Sequence, residues 1–218
     1  MSLIIDDKEI NNVCVIDDDA QARHGWSLAI EDSKLHPFPQ NEKVLNIDDY
    51  IPYLQRFDAI VTDHHLMKKN YFPVNGAEIV YRCYDYKIPS ILVTRYDDEK
   101  VVDEIRRYRN KIPIILSQEE YAPDTLRQGL EICLNEFKGK LLPERKLWRT
   151  FIRIDDIDKT HVYLLIPAWN PNKVVSINRN LIQEEILKVL NPDMKMFAQV
   201  NIEAKDVIDL YFKNWELK

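Results

Sequence analysis

Val13-Cys14-Val15-Ile16-Asp17-Asp18-Asp19 sets four apolar residues in a row against three aspartates. An unbroken apolar run of this kind reads as a strand buried on both faces, as in a parallel sheet. Ligands of such sheets gather at the carboxyl ends of the strands, which is where these aspartates fall. Ala59-Ile60-Val61-Thr62 is a second such run and also ends on an acid, Asp63. If the two strands are neighbours, three carboxylates converge on one pocket. Two carboxylates about 4 Å apart repel by roughly 4 kcal/mol at an effective dielectric near 20, a cost that a cation or a proton removes. An oxygen-only donor set without His or Cys suits a hard divalent ion, Mg²⁺ above all. Acids after strands also cap helices, and Asp19 fits that role because a helical pattern opens at Ala20.

Outward from these strands the chain alternates strand and helix over its first two-thirds. The pattern predicts a helix from Ala20 to Glu31, with Trp26, Leu28 and Ile30 available for packing. A second strand follows at Val44–Ile47, and a short helix capped by Asp48. After the Ala59–Thr62 strand, Gly76 opens a helix to Tyr86, with Ile79, Val80 and Cys83 on one face. Ile91–Thr94 is strand four, and Asp97 caps the next helix. Pro113–Ser117 is strand five, and Asp124 caps a last helix striped by Leu126, Leu130, Cys133, Phe137 and Leu141. Five strands alternating with five helices predict a doubly wound parallel sheet.

Pro143 marks a boundary between residues 1–142 and 143–218. Beyond it the readings are strands at Trp148–Ile154, His161–Pro167, Lys173–Ile177, Met194–Ile202 and Ile208–Trp215, with one helix at Leu181–Leu190. Turns there are rich in asparagine (Asn170, Asn172, Asn178, Asn180), the next-best residue after glycine for a left-handed backbone. The expectation is a small, β-rich, barrel-like domain.

Composition narrows the function. The 218 residues are 45% apolar and 30% charged, with a net charge of −6. Residues 141–218 hold 12 basic and 11 acidic residues, and residues 1–140 hold 18 and 25. Neither part has the basic excess that nucleic-acid backbones demand, so nucleic acid is not an expected partner. No apolar run nears the ~18 residues of a membrane span, and no leader pattern opens the chain. Cys14, Cys83 and Cys133 sit inside apolar patterns without CxxC spacing, which fits buried thiols of a cytoplasmic protein.

The order of the acids along the strands resembles the receiver domain of two-component response regulators. Asp17-Asp18 ends strand one, Asp63 ends strand three, Thr94 ends strand four and Gly76 opens the intervening helix. The resemblance covers residues 10–140 and implies a flavodoxin-like sheet in the order 2-1-3-4-5. It implies that Asp63 is the phosphoacceptor and that Asp17, Asp18 and Asp63 hold Mg²⁺ with the backbone carbonyl of His65. By the same resemblance, Thr94 reports the phosphoryl group, and the face of helix four, strand five and helix five serves self-association or partner docking. Implied partners are a sensor histidine kinase or a small phosphodonor and an output protein. Such a protein signals and is not an enzyme.

This sequence departs from the receiver pattern in four places. Receivers place a Lys at the end of strand five, where this chain reads Ser117-Gln118-Glu119-Glu120. Arg95 stands where a small residue is usual. The loop from Asp63 to Gly76 is long and carries His64, His65, Lys68 and Lys69. Ile114 and Ile115 occupy strand five in place of an aromatic switch residue. Arg95 either supplies the missing cation, with good geometry for phosphate, or fills the pocket and leaves a phosphorylation-independent scaffold.

Asp17-x-Asp19 also resembles the nucleophile motif of haloacid-dehalogenase-like phosphatases, and Leu92-Val93-Thr94 their second motif. That family needs a later Lys and a paired acid that this sequence lacks, and it leaves Asp63 without a role. Adjacent His64 and His65 are a poor transition-metal pair and read as groups that tune water access to Asp63 or as solvated side chains. Trp169, Tyr211, Phe212 and Trp215 are read as core.

Overall fold

The computed structural model describes residues 3–5, 8–68, 70–95, 99–117 and 122–218. The chain divides into two compact units: residues 1–98 with 111–140, and residues 99–110 with 141–218. After a short hairpin, Leu3–Ile5 with Lys8–Ile10, the elements run β1 (Asn12–Ile16), α1 (Ala20–Asp32), β2 (His36–Pro39) and α2 (Ile47–Leu54). Then come β3 (Ala59–Asp63), α3 (Gly76–Asp85), β4 (Ser90–Val93), α4 (Glu99–Tyr108), β5 (Ile114–Leu116) and α5 (Pro123–Phe137).

The five strands of the first unit form a parallel sheet in the order 2-1-3-4-5, as the alternating pattern predicts. Alternation along β1 explains why its apolar run is unbroken. Val13 and Val15 pack with Trp26 and Ile30 of α1 and Leu126 and Leu130 of α5. Cys14 and Ile16 face the other way, against Ile47 and Ile51 of α2 and Ile79 and Cys83 of α3. Trp26 and Ile30 are buried as expected, whereas Leu28 is exposed.

Strand two is a correction. Val44–Ile47 is not a strand; Asn46 caps α2 through a bond from the Asp48 N–H, and Ile47 is already helical and buried. The strand is His36–Pro39, hidden in the sequence by its two prolines. His36 donates its N–H to the carbonyl of Asn11, just before β1, and Gln40 to that of Val15 on β1. By alternation, positions 37 and 39 face outward, and both are proline, so the free edge offers no donor there. α5 is capped at Ala122 with Asp124 in its first turn, and it ends at Phe137, leaving Leu141 outside. The expected cap Asp97 lies outside the described residues, as do Lys69 and 118–120.

The second unit holds β6 (Trp148–Ile157), β7 (His161–Ile166), β8 (Asn170–Asn178), a one-turn helix α6 (Glu184–Leu187), β9 (Lys195–Val200) and β10 (Phe212–Leu217). All neighbours are antiparallel, in the order 8-7-6-9-10. The part is β-rich as expected, but the strand order describes an open sheet with β8 and β10 at its edges. Ile152, Ile154, Val162, Leu164, Val175 and Met196 line its buried face. Trp169, Trp215 and Phe212 pack on this core, and Tyr211 is buried. Asn170 and Asn178 build their turns by accepting N–H bonds from Asn172 (2.9 Å) and Asn180 (3.1 Å), not by left-handed backbone.

α4 belongs to this second unit although it lies in sequence between β4 and β5. Among the described residues, no helix is long and apolar enough to cross a membrane.

Candidate functional site

Register places the acids. Ile16 of β1 pairs with Thr62 of β3, so Asp17 and Asp63 are the next residues on adjacent parallel strands. Asp63 in turn pairs with Val93, which puts Thr94 one residue beyond it on β4. Parallel strands leave their side chains and carbonyls at this end without further sheet neighbours, and here the chain places carboxylates.

Asp17 is only 3% exposed. Its Oδ1 accepts the Asp19 N–H at 2.8 Å, and its Oδ2 accepts the indole N–H of Trp26 at 3.1 Å. Arg23 donates to the Asp17 carbonyl oxygen, not to its carboxylate. Burial pushes the Asp17 carboxyl up to about 6; the Asp19 and Trp26 bonds oppose the rise, and the charges of Asp63 and Asp18 add to it. Burial also raises Asp63, against the His65 N–H, which donates to its Oδ2 at 2.6 Å, and against the two neighbouring imidazoles. Asp18 and Asp63 are both half-buried. Asp19 is the α1 cap expected of it, accepting from Gln21 (2.7 Å) and Ala22 (3.1 Å).

Burial makes the Asp17 and Asp63 carboxyls resist ionisation, the condition a bound cation relieves. Among the described residues, no three His, Cys, Asp or Glu side chains stand close enough to hold an ion by themselves. The ion that fits is one that keeps water ligands and needs only one or two carboxylates, as Mg²⁺ does.

Gly76 fixes the approach of α3. A Cβ there would sit 2.0 Å from the Asp63 carbonyl oxygen and 2.9 Å from its carbonyl carbon. The Gly76 N–H donates to the His64 carbonyl at 2.9 Å, which closes the long loop. His64 is fully buried, so it is not a solvated side chain; its ring meets that of His65 at 5.1 Å. Thr94 is 1% exposed, with its N–H on the Leu116 carbonyl at 2.9 Å. Arg95, next along, is exposed. Ser117 follows β5 and is half-buried.

Two contributors escaped the sequence reading. Trp26 has the spacing of a core residue, yet its buried indole N–H needs an acceptor and finds it in Asp17, nine residues earlier. Tyr71 is the second. Its carbonyl accepts the Val44 N–H at 3.0 Å, its hydroxyl bonds the Gln40 carbonyl, and the Arg23 guanidinium lies 5.4 Å from its ring centroid. The long β3–α3 loop is thereby braced beside the acids; with no regular element there, nothing in the sequence marked it.

No family model matches the chain, and no curated protein matches it. Among solved structures, a response regulator receiver domain protein from Clostridium thermocellum is 14% identical, covering 59% of this chain and 98% of its own, with a TM-score of 0.46. A CheY-like receiver from Methanospirillum hungatei is 12% identical, covering 60% and 98%, with a TM-score of 0.44. The chemotaxis response regulator CheY4 of Vibrio cholerae is 18% identical, covering 57% and 99%, with a TM-score of 0.38. The likeness is one of fold, to receiver domains, across the N-terminal part. The chemistry rests on the residues of the pocket.

Proposed function

We propose that this protein is a cytoplasmic, non-enzymatic signalling protein whose N-terminal part works as a divergent response regulator receiver, with Asp63 as phosphoacceptor. The supporting observation is the pair of strand-end carboxylates, Asp17 and Asp63, on register-matched neighbours, both shifted upward from the ordinary carboxylate value by burial. Asp17, Asp18 and Asp63, directly or through water, with the His65 backbone carbonyl, would hold Mg²⁺, which would supply charge neutralisation when a carboxylate meets a phosphoryl group. One oxygen of Asp63 forms the new O–P bond as the bond from phosphorus to the donor breaks, and the donor keeps the electron pair. The donor is a phosphohistidine of a sensor kinase or a small phosphodonor. Thr94 supplies a hydroxyl hydrogen bond to the phosphoryl oxygens, and exposed Arg95 supplies positive charge at the rim.

Calorimetric titration of Mg²⁺ into the wild type, Asp17→Asn and Asp63→Asn at pH 7.5 tests the pocket. One equivalent should bind the wild type, and each variant should bind at least tenfold more weakly. Absence of binding to the wild type would overturn the metal assignment. The phosphorylation-independent scaffold remains the second reading, favoured by the lack of a lysine at the described end of β5, Leu116-Ser117.

A further inference from the structure

The sheet of the second unit has two unlike faces. Along β6, buried Thr150, Ile152 and Ile154 alternate with Arg149, Phe151 and Arg153, which are exposed or half-exposed. Along β9, buried Met196, Ala198 and Val200 alternate with Lys195, Phe197 and Gln199 in the same way. Register arranges the second set in rows on one face. Arg153 stands opposite Lys195, Phe151 opposite Phe197 and Arg149 opposite Gln199, with Lys213 of β10 on the far side of Gln199. Successive rows are two strand residues apart, about 7 Å. A row of rings therefore lies between two rows that carry cations.

This arrangement is costly as it stands. Like charges directly opposite each other on neighbouring strands are destabilising, and Arg153 with Lys195 is such a pair. Asp155 meets Arg153 only at 3.4 Å, and the Arg153 Nε has no hydrogen-bond partner among the described residues. Phe151 and Phe197 meet edge to face, with ring centroids 6.0 Å apart. The Arg149 guanidinium lies over the Phe197 ring, 3.9 Å from its centroid, and its Nε donates to Glu216 at 2.9 Å. Residues 141–218 are close to neutral, with 12 basic and 11 acidic residues, so the charge of this face comes from placement and not from composition. Rings between cations suit a partner that is anionic along its backbone and flat in its side groups.

We propose that this face binds single-stranded nucleic acid. Bases stack on Phe151, Phe197 and the Arg149 guanidinium, and phosphates meet Arg153, Lys195 and Lys213. An acidic peptide would answer the cations but leave the rings without stacking partners. This binding is independent of the reading of Asp63.

Fluorescence anisotropy of labelled oligothymidylate and oligouridylate, titrated with the full chain, tests it. Three phosphate contacts to a single strand should weaken binding about 20-fold between 50 and 200 mM salt. Phe151→Leu and Phe197→Leu, which keep an apolar side chain, should each weaken it about fivefold or more. Arg153→Gln with Lys195→Gln, which leaves the buried face untouched, should weaken binding and cut the salt effect to about threefold. That pair serves if the phenylalanine variants do not fold. Binding of either oligomer with these losses supports the proposal, and the tighter of the two names the sugar. No binding of either oligomer at the lower salt overturns it. Equal affinity for duplex DNA or for polyglutamate, or binding that none of these variants weakens, overturns it as well.

Discussion

At the scale of single residues, Gly76 and Asp17 carry the sharpest consequences. A methyl group at position 76 would collide with the backbone of Asp63, which must shift to admit it. Gly76→Ala should cost about 1–3 kcal/mol by urea denaturation, as overpacked sites do, and weaken Mg²⁺ binding because the strand end moves. Asp17 links the pocket to pH. Its carboxyl is raised from 3.8 to about 6 in the folded state, so between those values the folded chain holds a proton the unfolded chain has lost. Its contribution to stability is therefore present below the unfolded value and is lost as pH rises through about 6. On the proposed reading, a cation takes over above that window. Mg²⁺ at 100 times its dissociation constant should stabilise by about 2.7 kcal/mol at pH 7.5, and much less at pH 5 where a proton competes. Thermal melts at the two pH values check this, and Asp17→Asn should lose most of the Mg²⁺ effect. The acids were legible because carboxylates at the end of an apolar run have few structural uses. Trp26 was not legible as an acid partner, because its distance of nine residues from Asp17 is meaningful only once the helix folds back.

Elements were legible where hydrophobic period and fold agreed. β1, β3 and β4 are buried on both faces and announce themselves as apolar runs. β2 is a sheet edge and does not: Pro37 and Pro39 break the strand signature while sitting at the outward positions where a missing N–H costs no ladder bond. Those prolines guard the edge. Pro37→Ala with Pro39→Ala should keep the fold and restore two outward donors, and self-association should rise in light scattering at high concentration. An unchanged monomer fraction would show that the prolines are not what keeps the edge unpaired. The hairpin Leu3–Ile5 with Lys8–Ile10 and the one-turn α6 were missed or overdrawn for a related reason: elements this short bury too little for a periodic pattern to appear.

At the scale of the whole molecule, each unit has its own core, and the sequence located the change from alternating to β-rich pattern near Pro143. It gave no sign that α4 leaves the first unit for the second, because Arg106 looks like any surface arginine of an amphipathic helix until the Ser176, Val207 and Leu210 carbonyls close around it. A fragment ending at Leu142 removes Ser176, Val207 and Leu210, so amides of α4 should exchange freely in it while those of β1, β3 and β4 stay protected. Equal protection of α4 in fragment and full chain would contradict the division. The central claim, that Asp63 accepts a phosphoryl group, is tested most directly by intact mass after incubation with a small phosphodonor and Mg²⁺. The absent strand-five lysine removes a charge-assisted contact of roughly 1.5–3 kcal/mol, so transfer should be about 10-fold to 150-fold slower than in a receiver that has one. The account predicts a single phosphoryl adduct on the wild type that forms slowly, requires Mg²⁺ and is absent from Asp63→Asn. No adduct on the wild type after prolonged incubation, or an adduct that persists in Asp63→Asn, would contradict it.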